Sequence, residues 1–394
     1  MSIDTQEYKE LLRLELCRRI KGEYTAHACD PCFVVKHRYQ KTYSPEYSNL
    51  ELKLYPDSIP ELLLNWAKLD STKIRNKEDI LVVDLETSGL GHKHYAIMIG
   101  VGYFEAESFV IEQIFLPYPD SEEHSLERLK ELLDSHSLIL SFNGKSFDIP
   151  LLESRYIYLQ MWQDIRALEH LDLLHIARRL WKQRLASCAL ESLEYYILGQ
   201  MRDADSDIEG RYIPDSYLEY LTKGETHAIA RIFKHNELDI LHTMALFSLI
   251  CEVCTYPPDQ YDYRIDYLAL ARLYISQKHS EAAKDILKGY IEQGYHDPVA
   301  IYELGMLYKR AGELAKAREC FEWGTELREE PAMLEYAKIL EKERDFEQAA
   351  ALCDKLLKLE CEGWEPNNRK IEELERRCFR LHKRLNKKQE KDKA

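Results

Sequence analysis

The sequence predicts an α/β layer, a mixed sheet flanked by helices, followed by an all-α repeat domain. Three observations carry that prediction. The apolar runs ILVVDLE, AIMIGVGYF and SFVIEQIFL follow one another between residues 80 and 116 across short connections, as hairpin-linked neighbouring strands do. Helical periodicity then alternates with one more strand-like run, LILSF, as far as residue 255. Beyond residue 262 the apolar spacing is helical throughout and repeats itself.

Residues 1–78 contain a charged initial helix and a short apolar one around PELLLNWAKL, and read as an N-terminal arm packed on the α/β domain. That domain spans 79–255. Within it HSLERLKELLDSH, FDIPLLESRYIYL, LDLLHIARRLWKQ and the stretch from 225 to 254 read as helices packed on the sheet. In the third segment, 262–361, LARLYISQKHSEAAKDIL, LGMLYKRAGELAKARECF and YAKILEKERDFEQAAALC align without gaps. Ala271, Gly305 and Ala337 correspond, as do Ala283, Ala317 and Ala349. Small residues at fixed places let paired helices approach, so the pattern is similar to the tetratricopeptide repeat. Residues 362–394 read as a capping helix whose basic end, KRLNKKQEKDKA, frays into solvent.

With a net charge of −15, the chain as a whole does not attract a polyanion. Contact with one requires a local basic patch or bound cations. The first twenty residues carry charges throughout and lack the apolar core of a secretory signal. The longest apolar run, Met244–Ile250, is too short to cross a bilayer. Ten cysteines in 394 residues do not make a disulfide framework, so the reading is reduced thiols, a cytoplasmic setting and no membrane. Cys29/Cys32 and Cys251/Cys254 have the spacing of zinc ligands. The second pair continues an apolar helical run, where cysteine packs as a small hydrophobe.

Chemistry begins at DILVVDLETSGL, residues 79–90, where Asp84 and Glu86 interrupt an apolar strand. Alternation points both carboxylates to one side of the sheet, where unpaired burial is costly. Asp148 comes after the Asn143-Gly144 turn in FNGKSFDIP. Taken alone, it reads as the N-cap of the helix that begins there. His235 and Asp239, four apart on a helix, share a face, and that face could simply be solvated. Asp172 opens an amphipathic helix, where an acid suits the dipole; it is the weakest candidate.

Together, DxE on a strand, an Asp after NGxxF and His-x3-Asp on a late helix resemble the three exonuclease motifs of the DEDD superfamily. FNGKSFDIP is similar to the second motif of family B polymerase proofreading domains. The layout resembles the YprB-type predicted exonucleases, which join a ribonuclease H-like domain to tetratricopeptide repeats. The resemblance covers about residues 79–255 and 264–361. It implies a ribonuclease H-like fold and a 3′→5′ exonuclease that uses two Mg²⁺ or Mn²⁺ ions, the metals that oxygen-rich sites favour. By this resemblance Asp84 bridges both ions, Glu86 and Asp239 hold the ion that activates water, and Asp148 holds the other. His235 takes the proton from the attacking water. One departure stands out: the His–Asp spacing is that of the superfamily's tyrosine branch, one residue shorter than in its histidine branch.

The resemblance also sets Thr87, Leu90 and Asn143 against the terminal nucleotide. Arg178 and Arg179, interleaved with Trp181, form the best local mixture of cations and a ring for a single strand, or else the charged face of an ordinary amphipathic helix. Single-stranded DNA is the favoured substrate, by analogy with proofreading domains. RNA 3′-end trimming is the alternative, and a catalytically inactive scaffold a second one. The repeats are expected to bind a protein partner, such as a helicase or repair factor.

Overall fold

The computed structural model describes residues 5–25, 31–44, 51–74, 76–89, 91, 93–255, 262 and 264–392. The chain divides into two compact units, 1–258 with 263–266, and 259–262 with 267–394.

The first unit is built on β1 (Glu23–Tyr24), β2 (Phe33–Tyr39), β3 (Thr42–Tyr43), β4 (Leu52–Lys53), β5 (Ile80–Thr87), β6 (Ala96–Glu105), β7 (Ser108–Phe115), β8 (Leu138–Ser141) and β9 (Glu169–Asp172). Seven of these form one sheet in the order β1-β2-β7-β6-β5-β8-β9, while β3 and β4 pair separately. β5, β6 and β7 are antiparallel neighbours; β8 and β9 continue from β5 in parallel. β5 is thus covered on both faces, which explains its near-continuous apolar run.

Two sequence expectations need correction. The N-terminal arm does more than pack on the domain, since β2 pairs along its whole length with β7 and extends the sheet. The stretch before Leu173 is strand β9, and its helix is Leu173–Trp181. A four-residue strand has too few alternations to stand out beside an amphipathic helix.

Leu81, Val83 and Leu85 pack on one face with Leu126, Leu129, Leu133, Leu152 and Tyr156, from the helices Glu122–Ser135 and Asp148–Tyr158. On the other face Ile97 and Phe115 meet Ile229, Ile232 and Phe233, from the long helix His227–Thr255. Alternation along β5 turns Asp84 and Glu86 toward that long helix. The helix is long and apolar enough to cross a membrane, but 83% of its most apolar window is buried inside the protein, as in a core helix. Cys251 and Cys254 are buried within it and form no disulfide, and burial pushes the Cys254 thiol up to about 12. Cys29 lies outside the described residues. Among the described residues, no metal-binding group includes a cysteine.

The second unit is all-helical: Tyr267–Ser276, Ser280–Glu292, Pro298–Arg310, Leu314–Glu326, Glu330–Lys342, Phe346–Glu362 and Asn368–Asp392. Each helix packs on the next. Ala271, Ala283, Ala317, Ala337 and Ala349 are fully buried, and a Cβ on Gly305 would lie 2.7 Å from the Phe321 ring. The final helix continues to Asp392, through most of the basic tail expected to fray.

Candidate metal centre

Sheet register builds the first half of the site. Asp84 on β5 stands opposite Gly100 on β6, and Gly100 opposite Gln113 on β7. Because Gly100 has no side chain, the amide of Asn236 can lie on this row; a Cβ there would overlap Asn236 Oδ1. Asn236 Nδ2 donates to Asp84 Oδ2 at 2.8 Å, and Gln113 Nε2 donates to Asn236 Oδ1 at 3.0 Å. Gln113 Nε2 also donates to the Phe233 carbonyl at 2.7 Å. Two buried amides thereby fix the Asp84 carboxylate.

Asp148 is the first residue of its helix, and Phe147, with no side-chain cap, precedes it. Its carboxylate accepts from its own N–H and from the N–H of Leu85 on β5. The cap reading therefore fails; the side chain turns back to β5. Asp172, by contrast, caps its own helix, Leu173–Trp181: its carboxylate accepts from Leu174 N at 3.0 Å, and also from Asn143 N at 2.8 Å and Lys145 N at 3.1 Å. Asp172 so pins the turn ahead of Asp148, in which Asn143 has φ 66°.

The long helix supplies the rest. Ligand atoms of Glu86, His235 and Asp239 all lie within 4.8 Å of one another. His235 Nδ1 is 2.8 Å from Asp207 Oδ1 and 3.1 Å from Arg202 Nη1. A carboxylate oxygen only accepts and a guanidinium only donates; the shorter contact, to Asp207, favours a proton on Nδ1 and leaves Arg202 as a neighbouring charge rather than a hydrogen-bond partner of that nitrogen. Nε2 then faces Asp239 Oδ2, 3.7 Å away. Arg202 pairs with Asp239 Oδ1 and with Glu194, and Glu194 Oε1 also meets His242 Nδ1 at 2.8 Å. Glu194 opens a π-helical turn, Glu194–Leu198, packed behind the site.

Electrostatics set this cluster apart. Burial, then the charges of Asp239, Glu86 and Asp148, raise the Asp84 carboxyl well above its ordinary range, against the Asn236 hydrogen bond. Burial also raises Glu86 to about 8, with Asp239 and Asp148 adding to it and His235 and Arg202 opposing. Burial raises Asp148 to about 7, although its backbone hydrogen bonds pull it down. Burial works against a charged His235, yet the Asp207 hydrogen bond and the charges of Asp239 and Glu86 lift it to about 9. Such a set of crowded carboxylates, with Asp84 and Asp148 held by amides and backbone and only Asp239 paired to an arginine, fits hard divalent cations.

The remaining sequence candidates fare differently. Thr87 Oγ1 donates to the Gly89 carbonyl at 2.9 Å, and Leu90 lies outside the described residues. Arg178 and Arg179 are exposed, and Arg179 sits 5.4 Å from the Trp66 ring. Trp181 does not serve as a stacking ring: it is 2% exposed, with Nε1 donating to the Arg264 carbonyl at 2.8 Å. The signal was present, because Trp181 lies four residues beyond Ala177 and eight beyond Leu173, on the apolar face. Asp207, Arg202 and Glu194 carried no such signal.

Residues 81–251 match a family model of the RNase_H superfamily. The chain is 27% identical over 281 residues to the uncharacterized protein YprB of Bacillus subtilis (strain 168), covering 70% of this chain and 67% of that protein. Among solved structures it is similar to the family B DNA polymerase from the hyperthermophilic archaeon Pyrobaculum calidifontis, at 14% identity and a TM-score of 0.34. That match covers 50% of this chain and 29% of the polymerase, a likeness too distant to inform on activity. The first unit thus carries a ribonuclease H-like domain, a nuclease fold, and the chain is similar to the YprB-type proteins.

Proposed function

We propose that the first unit is a metal-dependent 3′→5′ exonuclease acting on single-stranded DNA. The observation that carries this reading is the convergence of Asp84, Glu86, Asp148 and Asp239 with His235 beside them, on a nuclease fold. The four carboxylates would hold one or two Mg²⁺ or Mn²⁺ ions. Bound there, such ions supply charge stabilisation for the attacking and leaving oxygens of phosphodiester hydrolysis. Asn236 and the Leu85 N–H orient Asp84 and Asp148. Arg202 occupies one oxygen of Asp239 and leaves Oδ2 toward His235. His235 carries its fixed proton on Nδ1 and accepts the water's proton at Nε2, with Asp207 stabilising the resulting imidazolium. The raised carboxyls of Glu86 and Asp148 and the raised His235 belong to the metal-free protein. Cations on Glu86 and Asp239 would offset the charges of those two carboxylates, which add to the Asp207 hydrogen bond in raising His235.

RNA remains the alternative polymer, because the metal cluster reads neither base nor sugar. The repeat-like helices of the second unit are proposed to bind a protein partner. The test is 3′-end degradation of single-stranded DNA and matched RNA with Mg²⁺, Mn²⁺ or EDTA, for wild type and an Asp84→Ala, Glu86→Ala double variant. The reading requires metal-dependent laddering that the double variant abolishes; laddering that survives it would assign the activity elsewhere. Preference for RNA would change only the substrate.

A further inference from the structure

We infer that the turn Gly210–Tyr212 seats the 3′-terminal nucleotides of the strand, Tyr212 by stacking on a base and Arg211 by pairing with a phosphate. The inference rests on the exonuclease reading and names the binding surface that the reading lacks once Trp181 is found buried. A groove of about 800 Å³ opens from His235 and Asp239 and is lined by Arg202, Asp207, Arg211 and Tyr212, among others. Its size is in the range of ligand clefts.

Three features of the turn point to a nucleotide. Tyr212 is 48% exposed, although it lies beside a buried cluster. The Arg211 guanidinium lies 4.8 Å from the Tyr212 ring, and its side chain is 68% exposed. An Arg held over a Tyr is the mixture of cation and π-face that sequence-tolerant strand binding uses. Arg211 pairs with Glu209 at 2.7 Å, but that carboxylate is 67% exposed, so the pair is weak and a phosphate can displace it. Arg202 and Arg231 also line the groove, yet both are committed, Arg202 to Glu194 and Asp239, Arg231 to the Asp207 and Ala204 carbonyls. Arg231 thereby anchors the loop that presents the turn, and Arg211 is left as the exposed cation.

Gly210 adds a third residue to the turn's role. A Cβ built on it would lie 3.9 Å from His235 Nε2, the nitrogen to which the reaction assigns the proton. Its φ is not in the left-handed region, so backbone conformation does not demand glycine here. Absence of a side chain instead leaves the approach to Nε2 open for a phosphate and its water.

The test measures binding of 5′-fluorescein oligothymidylate by anisotropy in Ca²⁺, together with kcat and KM for its degradation in Mn²⁺. The proteins are wild type, Tyr212→Ala, Tyr212→Phe, Arg211→Ala, Gly210→Ala and an Arg178→Ala, Arg179→Ala pair. Tyr212→Ala and Arg211→Ala should each weaken binding and raise KM about tenfold, with melting temperature unchanged. Tyr212→Phe should restore binding, and Gly210→Ala should lower kcat more than it raises KM. Wild-type affinity in both Tyr212→Ala and Arg211→Ala, or loss confined to the Arg178/Arg179 pair, would overturn the inference while leaving the exonuclease reading intact. A wild-type protein that neither binds nor degrades the strand overturns both.

Discussion

A histidine between a carboxylate and a metal cluster can hold a proton or pass it on, and which it does depends on what surrounds it. At His235, Asp207 fixes one ring nitrogen at 2.8 Å and leaves the other facing Asp239 and Glu86. Replacing His235 by Ala should cost roughly 10²–10⁴ in degradation rate. Asp207→Asn should cost about 10–100-fold while the strand's KM holds, because an amide can leave the wrong nitrogen protonated. Single-turnover rates at saturating DNA check both; a wild-type rate in Asp207→Asn would return that contact to a structural role. Asp84 and Glu86 were legible in the sequence because a strand's period of two leaves no choice of side. Asp207 and Arg202 were not, because the segment 199–210 has no periodicity, and only the fold brings it to His235.

At the scale of elements, the centre depends on three strands and one helix meeting without a side chain at Gly100. Gly100→Ala would force the Asn236 amide off Asp84 and Gln113. It should lower unfolding free energy by about 1–3 kcal/mol, read from urea midpoints. An unchanged midpoint would mean that the helix shifts freely over the sheet. A second buried network holds β2 to β7. Glu112, 1% exposed, meets Arg128 Nε at 2.7 Å, Lys36 Nζ at 3.0 Å and the Tyr103 hydroxyl at 2.8 Å. Burial alone would raise its carboxyl, but the Arg128 and Lys36 bonds hold it below its ordinary value. A depressed acid stabilises the fold above the unfolded carboxylate range, near pH 4, and loses that contribution as pH falls through the folded value. Glu112→Gln should therefore be less stable than wild type at pH 7, with the gap closing in acid. Urea titrations at pH 7 and pH 3.5 test this, and a pH-independent gap would contradict it. Neither network was visible in sequence, since β2 lies in a region read as an arm, and register alone sets Lys36 opposite Glu112.

For the molecule as a whole, the all-helical second unit was legible because its apolar spacing is helical throughout, with small residues at the places that the structure buries, and the α/β unit because its strands come in series. The two units have separate cores, so calorimetry should resolve two transitions, with divalent metal moving only the one from residues 1–258. The central claim is that Asp84, Glu86, Asp148 and Asp239 form a cation site. Raised carboxyls favour the protonated folded state, so metal-free stability should fall as pH rises from about 4 through the values near 7 and 8 of Asp148 and Glu86. The most direct measurement is the melting temperature of the first unit in the intact chain at pH 8, in EDTA and in Mn²⁺, for wild type and Asp84→Asn. Wild type should melt several degrees higher in Mn²⁺ than in EDTA, since a ligand of the folded state stabilises it. Asp84→Asn, freed of the crowding with Asp239, Glu86 and Asp148, should melt no lower than wild type in EDTA and respond weakly to Mn²⁺. Equal Mn²⁺ responses in the two proteins, or none in wild type, would contradict the site.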